Sequence, residues 1–306
     1  VPGSGSSETT YCYFIDSATS EAHQFNLMGS ESSSELYNAI QNMQYSSGNT
    51  IDYISTVQSG LNIFDSTYVP QWANGEYTYN ALKVSNPFSK EDGSVDSVKL
   101  GERVNRFFDN YVSGADATLV NDVYTFTNDN TVVKYYENGV LEYYDYGTGT
   151  SSSEQTLSSA YTISQNFLEK DMYITNDVYL AGAETRNDGL ALYYDYAVDD
   201  VPVEFSEELA AETGMNHAIE IVVSNDGVKR YKRYVAEFTK NESVTSKINV
   251  DMITAWDNAI MNYKGSDIVT SVEDMAIGYY MDGESDIFIK WFTSVNGTVI
   301  VGETYE

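Results

Sequence analysis

Few basic residues and few histidines limit the partners and the chemistry open to this chain. Its 306 residues include 46 acidic and 16 basic side chains, which gives a formal net charge of −30. Such a chain repels phosphate backbones and anionic membrane surfaces, so we expect no nucleic-acid binding. The two histidines are His23 in a polar segment and His217 at the start of a predicted strand, and no G-x-S-x-G motif is present. A nucleophilic triad is therefore not expected.

Cysteine and long apolar runs are equally scarce. Cys12 is the one cysteine, which excludes an intrachain disulfide framework. It lies on a predicted strand, TTYCYFID, where a small buried hydrophobe is the usual role. No apolar run approaches the roughly 18 residues that span a bilayer. Because the chain begins with the linker-like VPGSGSS, we expect a signal or membrane anchor to precede Val1.

Metal and cofactor motifs are also missing from the sequence. It has no H-E-x-x-H, no paired C-x-x-C and no phosphate-binding glycine loop. The Asp and Asn clusters TNDN, RNDG and MDGESD fit either turns or calcium ligands, but none has the EF-hand spacing. We therefore predict no catalytic residue, no cofactor and no metal site, and expect that the chain is not an enzyme. An acidic glycoside hydrolase remains a weaker alternative, because its chemistry needs only two suitably spaced carboxylates.

What the sequence has in quantity is tyrosine, 27 in all, much of it in hairpin patterns. The stretch NTVVKYYENGVLEYYDYG predicts two strands joined at Asn138-Gly139, a pair typical of a two-residue type I′ turn. That register places Tyr135 with Tyr144 on one face of the hairpin and Tyr136 with Tyr143 on the other. The rings are expected to fill a small sheet with half-covered faces.

Two further hairpins are predicted, turning at Asp226-Gly227 and at Asn296-Gly297. In the first of these, a two-residue turn places Glu220 opposite Arg233, whereas a three-residue turn places it opposite Lys232. Either register gives a cross-strand pair of opposite charge.

A helical stripe precedes each hairpin. The apolar spacing predicts helices over the ranges Leu100–Tyr111, Leu157–Leu168 and Met252–Tyr263. For the last helix, Asn249 is the expected N-cap and Gly265 the expected residue after the C-cap.

These patterns predict an α+β fold with about three diverged repeats of one helix packed on a small antiparallel sheet with hairpins. The first domain is expected to cover residues 1–148, in which the repeat pattern is recognisable only after about residue 95. Two further helix-plus-sheet units follow within residues 149–306, at about 149–240 and 245–306. In the last unit we expect Trp256 and Trp291 to be largely buried where helix meets sheet.

One stretch stands out against the negative charge. The segment KRYKRY predicts a basic strip for partner binding that comprises Lys229, Arg230, Tyr231, Lys232 and Arg233. The alternative is edge protection of the strand, combined with pairing to neighbouring carboxylates.

From about residue 150 onward the chain resembles a known family. The segments SSAYTISQNFL, LYYDYAVDDVPVEF, HAIEIVVSNDGVKRYKR, MITAWDNAI, DMAIGYYM and IFIKWFTSVNG occur in the order typical of YycH/YycI proteins. These proteins are extracytoplasmic regulators of a two-component sensor kinase in Gram-positive bacteria, and the chain is more loosely similar to the germination protein YpeB. The family's N-terminal membrane helix has no counterpart here, and residues 1–95 have no match.

The resemblance implies a non-enzymatic, membrane-associated regulatory protein outside the cytoplasm, tethered by a membrane helix or targeted by a signal. Its implied partner is a sensor histidine kinase or a related YycH/YycI-type protein. The surplus of tyrosine favours an alternative, a secreted module that binds cell-wall or carbohydrate ligands.

Overall fold

The structure, a computed structural model, has an α+β fold dominated by antiparallel sheet. It describes residues 10–16, 21–27, 51–63, 68–72, 75–108, 117–147, 156–171, 174–224, 227–265 and 268–304.

The strands of the described chain are, in order, β1 (Thr10–Asp16), β2 (Glu21–Leu27), β3 (Asp52–Ser55), β4 (Tyr68–Gln71), β5 (Tyr77–Ser85), β6 (Thr118–Val120), β7 (Val123–Asn128), β8 (Thr131–Tyr136), β9 (Val140–Asp145), β10 (Asp177–Arg186), β11 (Gly189–Val198), β12 (Val201–Phe205), β13 (Ile219–Ser224), β14 (Gly227–Tyr234), β15 (Glu237–Ile248), β16 (Val272–Met281), β17 (Asp286–Val295) and β18 (Thr298–Gly302). The helices are α1 (Thr56–Ser59), α2 (Ser97–Val104), α3 (Leu157–Leu168), α4 (Glu207–Thr213) and α5 (Met252–Asn262), and a 3₁₀ turn at Asn105–Phe107 follows α2. The predicted strand around Cys12 is thus confirmed as β1.

The chain divides into two compact units, each built from separated segments. Unit 1 comprises Val1–Thr78, Lys247–Ala276 and Trp291–Glu306, and unit 2 comprises Tyr79–Ser246 and Ile277–Lys290. Within the described residues no helix is long and apolar enough to cross a membrane.

In unit 2, an antiparallel sheet runs in the order β12-β11-β13-β14-β9-β8-β7-β6, and β10 pairs with β11. Helix α3 packs against β11, β13 and β14 on one face. Alternate strand residues point to this face, and their aromatic and aliphatic side chains are buried, among them Tyr135, Leu141, Tyr143, Ile219, Ile221 and Tyr231. The opposite face carries mostly polar side chains that are half-buried.

The tyrosine-rich hairpin forms where it was predicted, but its predicted register is wrong. Lys134 pairs with Glu142, which leaves three residues in the turn rather than two. Of these three, Gly139 alone has positive φ, at 88°, whereas a type I′ turn requires two such residues. A slip of one residue moves a side chain to the other face of the sheet. Tyr135 and Tyr143 therefore share the buried face.

The other two hairpins are also present, although Asp226 of the predicted Asp226-Gly227 turn lies outside the described residues. In the β13–β14 hairpin, Glu220 lies opposite Lys232, and the register shifts between Val222 and Val223. Strands β17 and β18 turn at Asn296-Gly297, whose φ angles of 48° and 73° are both positive, as a two-residue turn requires.

The helices predicted over Leu157–Leu168 and Met252–Tyr263 are confirmed. The first predicted helix is shorter than expected, because α2 ends at Val104, the 3₁₀ turn ends at Phe107 and Phe108 is extended, while Tyr111 lies outside the described residues.

The predicted caps of α5 are wrong. Asp251, not Asn249, accepts the Thr254 N–H at the start of α5, and α5 ends at Asn262 with an extended Tyr263 rather than a glycine cap. A carboxylate immediately before the first helical residue is well placed to satisfy that free N–H group.

The core of unit 1 is centred on Trp291. This side chain is buried as predicted, its indole N–H donates to the Val250 carbonyl at 3.0 Å, and its ring lies 5.7 Å from that of Trp72. Trp256 on α5 is half-buried, less than predicted, because Ala255 and Ala259 form the buried side of that helix.

Candidate functional site

The candidate site is the side of the unit 2 sheet that faces away from α3, here called the polar sheet face. Strand alternation brings together on it side chains from six strands. They are Lys134, Tyr136, Glu142, Tyr144, Glu184, Arg186, Tyr193, Asp195, Glu220, Arg230 and Lys232.

One end of the polar sheet face is organised around Glu142. Its carboxylate accepts hydrogen bonds from the hydroxyls of Tyr136 at 2.9 Å and Tyr144 at 3.1 Å. Burial and the hydrogen bond to the Glu142 carboxylate raise the pKa of Tyr136 to about 12, and burial also raises the pKa of Tyr144. Both phenols therefore stay protonated and hold the carboxylate. The Lys232 ammonium lies 3.9 Å from Glu142 and donates to the Thr213 carbonyl at 2.9 Å.

The centre of the polar sheet face is a cluster of arginines and carboxylates. Glu220 accepts from Arg186 at 2.8 Å and lies 3.2 Å from Arg230. Arg186 also donates to the Tyr193 hydroxyl at 2.7 Å, and that hydroxyl donates to Glu184 at 2.7 Å. The hydrogen bonds from Tyr193 and Arg186 lower the pKa of Glu184. Glu184, Arg186 and Glu220 thus each have at least two partners, and Arg230 pairs with Glu220.

A histidine adjoins this cluster. His217 Nδ1 lies 2.8 Å from a carboxylate oxygen of Asp195, whose other oxygen accepts the Ala218 N–H at 2.9 Å. The imidazole ring is tilted 30° to the Tyr193 ring at 4.9 Å. The hydrogen bond to Asp195 raises the pKa of His217, although burial lowers it. A raised pKa favours the cationic form of the imidazole, so less of it is present as free base near neutral pH.

Beneath the sheet, on the α3 side, lies a buried ion network. Asp171 contacts Arg103, pairs with Arg233 at 2.9 Å and accepts the Tyr231 hydroxyl at 2.7 Å. Arg233 also donates to the Tyr196 hydroxyl at 2.8 Å. All five side chains are buried. The network ties α2 and the end of α3 to β11 and β14.

The structure separates the five residues of the predicted basic strip. Tyr231 and Arg233 are buried in the ion network. Arg230 and Lys232 lie on the polar sheet face, each close to a carboxylate. Lys229 reaches the Gly147 carbonyl at 3.3 Å. Strand alternation explains the separation, since successive side chains point to opposite faces.

Sequence reasoning did not identify Arg186, Tyr193 or the His217–Asp195 pair. The signal available for them was the period of two in β11 and β13, where Tyr193, Asp195 and Glu220 recur as polar positions between apolar ones. Across the described residues, no group of three His, Cys, Asp or Glu side chains is arranged to hold a metal ion.

Comparisons with known proteins give only distant structural likenesses. No family model and no curated protein matches the chain. Among solved structures, an uncharacterized protein from Eubacterium rectale is 11% identical with a TM-score of 0.42, over 78% of this chain and 88% of that one. The C-terminal domain of Bacillus megaterium YpeB is 10% identical with a TM-score of 0.36, over 69% of this chain and 93% of that one. Neither likeness assigns a role to any residue.

Proposed function

We propose that this chain is a non-enzymatic interaction protein that acts outside the cytoplasm and modulates a membrane signalling partner. The partner we propose is the extracytoplasmic part of a sensor histidine kinase, or a related YycH/YycI-type protein. The order of sequence segments from residue 150 onward supports that choice, and a membrane helix or signal preceding Val1 would place the chain there.

The observation that carries the proposal is the composition of the polar sheet face. It combines Tyr136, Tyr144 and Tyr193 with Arg186 and Arg230, and tyrosine and arginine are the residue types enriched among binding hot spots. Hydrogen bonds hold Tyr136, Arg186 and Tyr193 to side chains of other strands. Tyr144 is held by Glu142 on its own strand, and Arg230 pairs with Glu220. Fixed side chains lose little rotamer entropy on binding, which favours affinity for a protein partner.

Photo-crosslinking tests the proposal directly. A photoreactive phenylalanine analogue replaces Tyr144 or Tyr193 on the polar sheet face, and the matched control replaces Tyr68, an exposed tyrosine of unit 1. We expect crosslinks to a sensor kinase or YycH/YycI-type protein in native membranes from the first two positions. Equal yields at Tyr68, or no crosslink from the face, would contradict the proposed surface.

A charge reversal provides an independent check. Arg230→Glu places a second carboxylate beside Glu220 and should reduce crosslinking from the Tyr144 position at least fivefold. Lys240→Glu is the control, because Lys240 also has a carboxylate partner, Asp199 at 2.6 Å, but lies on β15 outside the polar sheet face. A robust hydrolase activity of the purified chain would argue against a non-enzymatic role.

We also propose that the three helix-plus-hairpin segments descend from one diverged repeat. Helices α2, α3 and α5 each precede a hairpin, namely β8–β9, β13–β14 and β17–β18. Superposing these segments should align helix and hairpin together, and opposite hairpin orientations would exclude a common repeat.

A further inference from the structure

A cavity of about 450 Å³ opens at one end of unit 2, on the α3 side of the sheet. The 3₁₀ turn after α2, the C-terminal end of α3, the β7–β8 turn and the end of β9 contribute to its lining. Its volume lies within the roughly 300–1,000 Å³ typical of small-molecule sites. The polar sheet face lies on the other side of the sheet, so this cavity is a separate feature.

Four aromatic residues line the cavity, and three of them, Phe107, Tyr143 and Phe167, pack together as its inner wall. The Phe107 and Phe167 rings are stacked at 5.6 Å with an interplanar angle of 27°, and Tyr143 meets Phe167 edge-on at 5.0 Å. Tyr231 packs against both phenylalanines from within the core. Because these rings are buried and pack against one another, the wall is preformed rather than assembled by a ligand.

The outer wall is made of short polar side chains from the β7–β8 hairpin and β9. Asn128, Asp129, Asn130, Thr131 and Asp145 contribute amide, carboxylate and hydroxyl groups. One oxygen of Asp145 accepts the Gly147 N–H at 2.7 Å, which orients this carboxylate. Both hydrogen-bond donors and acceptors therefore converge on the space in front of the aromatic wall.

This lining discriminates between ligand classes. Two carboxylates repel an anion, although Lys170, whose ammonium lies 5.7 Å from the Phe167 ring centroid, supplies one cation. A wholly apolar ligand would leave the hydroxyl, amide and carboxylate groups without water or partners. A sugar ring suits this lining, because its hydroxyls donate to the carboxylates and accept from the amides, while its C–H groups contact the small exposed part of the aromatic side chains.

We propose that this cavity is a binding site for a neutral saccharide. The site goes beyond the interaction role of the polar sheet face, and it can be tested without any protein partner.

The test begins with a glycan array of neutral mono- to tetrasaccharides, probed with the full chain, followed by calorimetry on each sugar that binds. The decisive variant is Asp129→Gly, which removes a lining carboxylate at a residue whose φ is +45° and which glycine therefore accommodates. The matched control is Asp122→Gly, at the opposite end of β7 with φ +61°, outside the cavity. Circular dichroism confirms that both variants fold.

We expect at least one neutral sugar to bind, with affinity at least tenfold weaker in Asp129→Gly and within twofold of wild type in Asp122→Gly. Phe167→Leu, which keeps an apolar side chain but loses the ring, should weaken binding similarly. A silent array overturns the proposal. Sugar binding that neither Asp129→Gly nor Phe167→Leu alters would also overturn it. So would binding restricted to cationic amino sugars in a parallel measurement. Asp129→Gly should leave crosslinking from the polar sheet face unchanged. A negative result for sugar binding is therefore distinguishable from a negative result for the proposed protein partner.

Discussion

Replacing Asp171 by asparagine tests whether the buried ion network holds unit 2 together. Asp171 is 3% exposed and faces Arg103, Arg233 and the Tyr231 hydroxyl. Asparagine has nearly the same shape and keeps an oxygen for the Tyr231 hydroxyl, but the change removes the charge and replaces the acceptor beside Arg103 with an N–H donor. Two buried guanidinium groups then lack the carboxylate between them. Removing one partner of a buried ion pair costs about 3–5 kcal/mol, and we expect Asp171→Asn to lower the free energy of unfolding by that amount.

Urea unfolding followed by far-ultraviolet circular dichroism measures this loss, provided that the slope against urea is unchanged. Asp199→Asn is the matched control, because it breaks an ion pair with Lys240 in which both side chains are more than half exposed. Exposed pairs contribute about 0–1 kcal/mol. If Asp171→Asn also stays within about 1 kcal/mol of wild type, the network does not stabilise unit 2 as argued.

Three further predictions concern single side chains. Trp291→Ala should cost about 3–5 kcal/mol in urea melts, and more than Trp256→Ala, because only the first indole is fully buried. Gly189→Ala should destabilise more than Gly93→Ala; both residues have positive φ, but a Cβ overlaps a backbone carbonyl only at Gly189. Equal losses within either pair would refute the packing argument. His217 has a raised pKa, so its stabilising effect is present below its unfolded value of about 6.5 and is lost as pH rises through the folded pKa. The stability advantage of wild type over His217→Gln should therefore shrink from pH 6 to pH 9. An advantage that grows over this range would contradict the prediction.

The positions of turns could be predicted from the sequence more accurately than the registers of the paired strands. Asn138-Gly139 and Asn296-Gly297 both lie in turns, in which Gly139, Asn296 and Gly297 take the positive φ that glycine and asparagine tolerate well. The same dipeptide nevertheless forms a three-residue turn in one hairpin and a two-residue turn in the other. Packing between the strands selects the length of the turn. The length of the turn then decides whether Tyr143 or Tyr144 enters the core. The predicted N-cap of α5, Asn249, is wrong because Asp251, two residues further on, accepts the Thr254 N–H.

The buried network could not be predicted from residue types. Arg103 belongs to a helix, Asp171 follows another helix and Arg233 lies in a segment that resembled a charged surface strip. These residues are far apart in sequence, and burial of an arginine depends on a carboxylate being present in three dimensions. Local patterns carry no information about that pairing.

The division of each unit into separated segments constrains how the protein can be made. Synthesis proceeds from the N-terminus, so Lys247–Ala276 of unit 1 emerge before Ile277–Lys290 complete unit 2. Unit 1 in turn waits for Trp291, the centre of its core. Unfinished chains therefore expose strand edges until these segments emerge, a state in which aggregation competes with folding. Any continuous fragment that contains the whole of one unit also contains part of the other. A fragment restricted to one unit would therefore lack some of the strands of that unit.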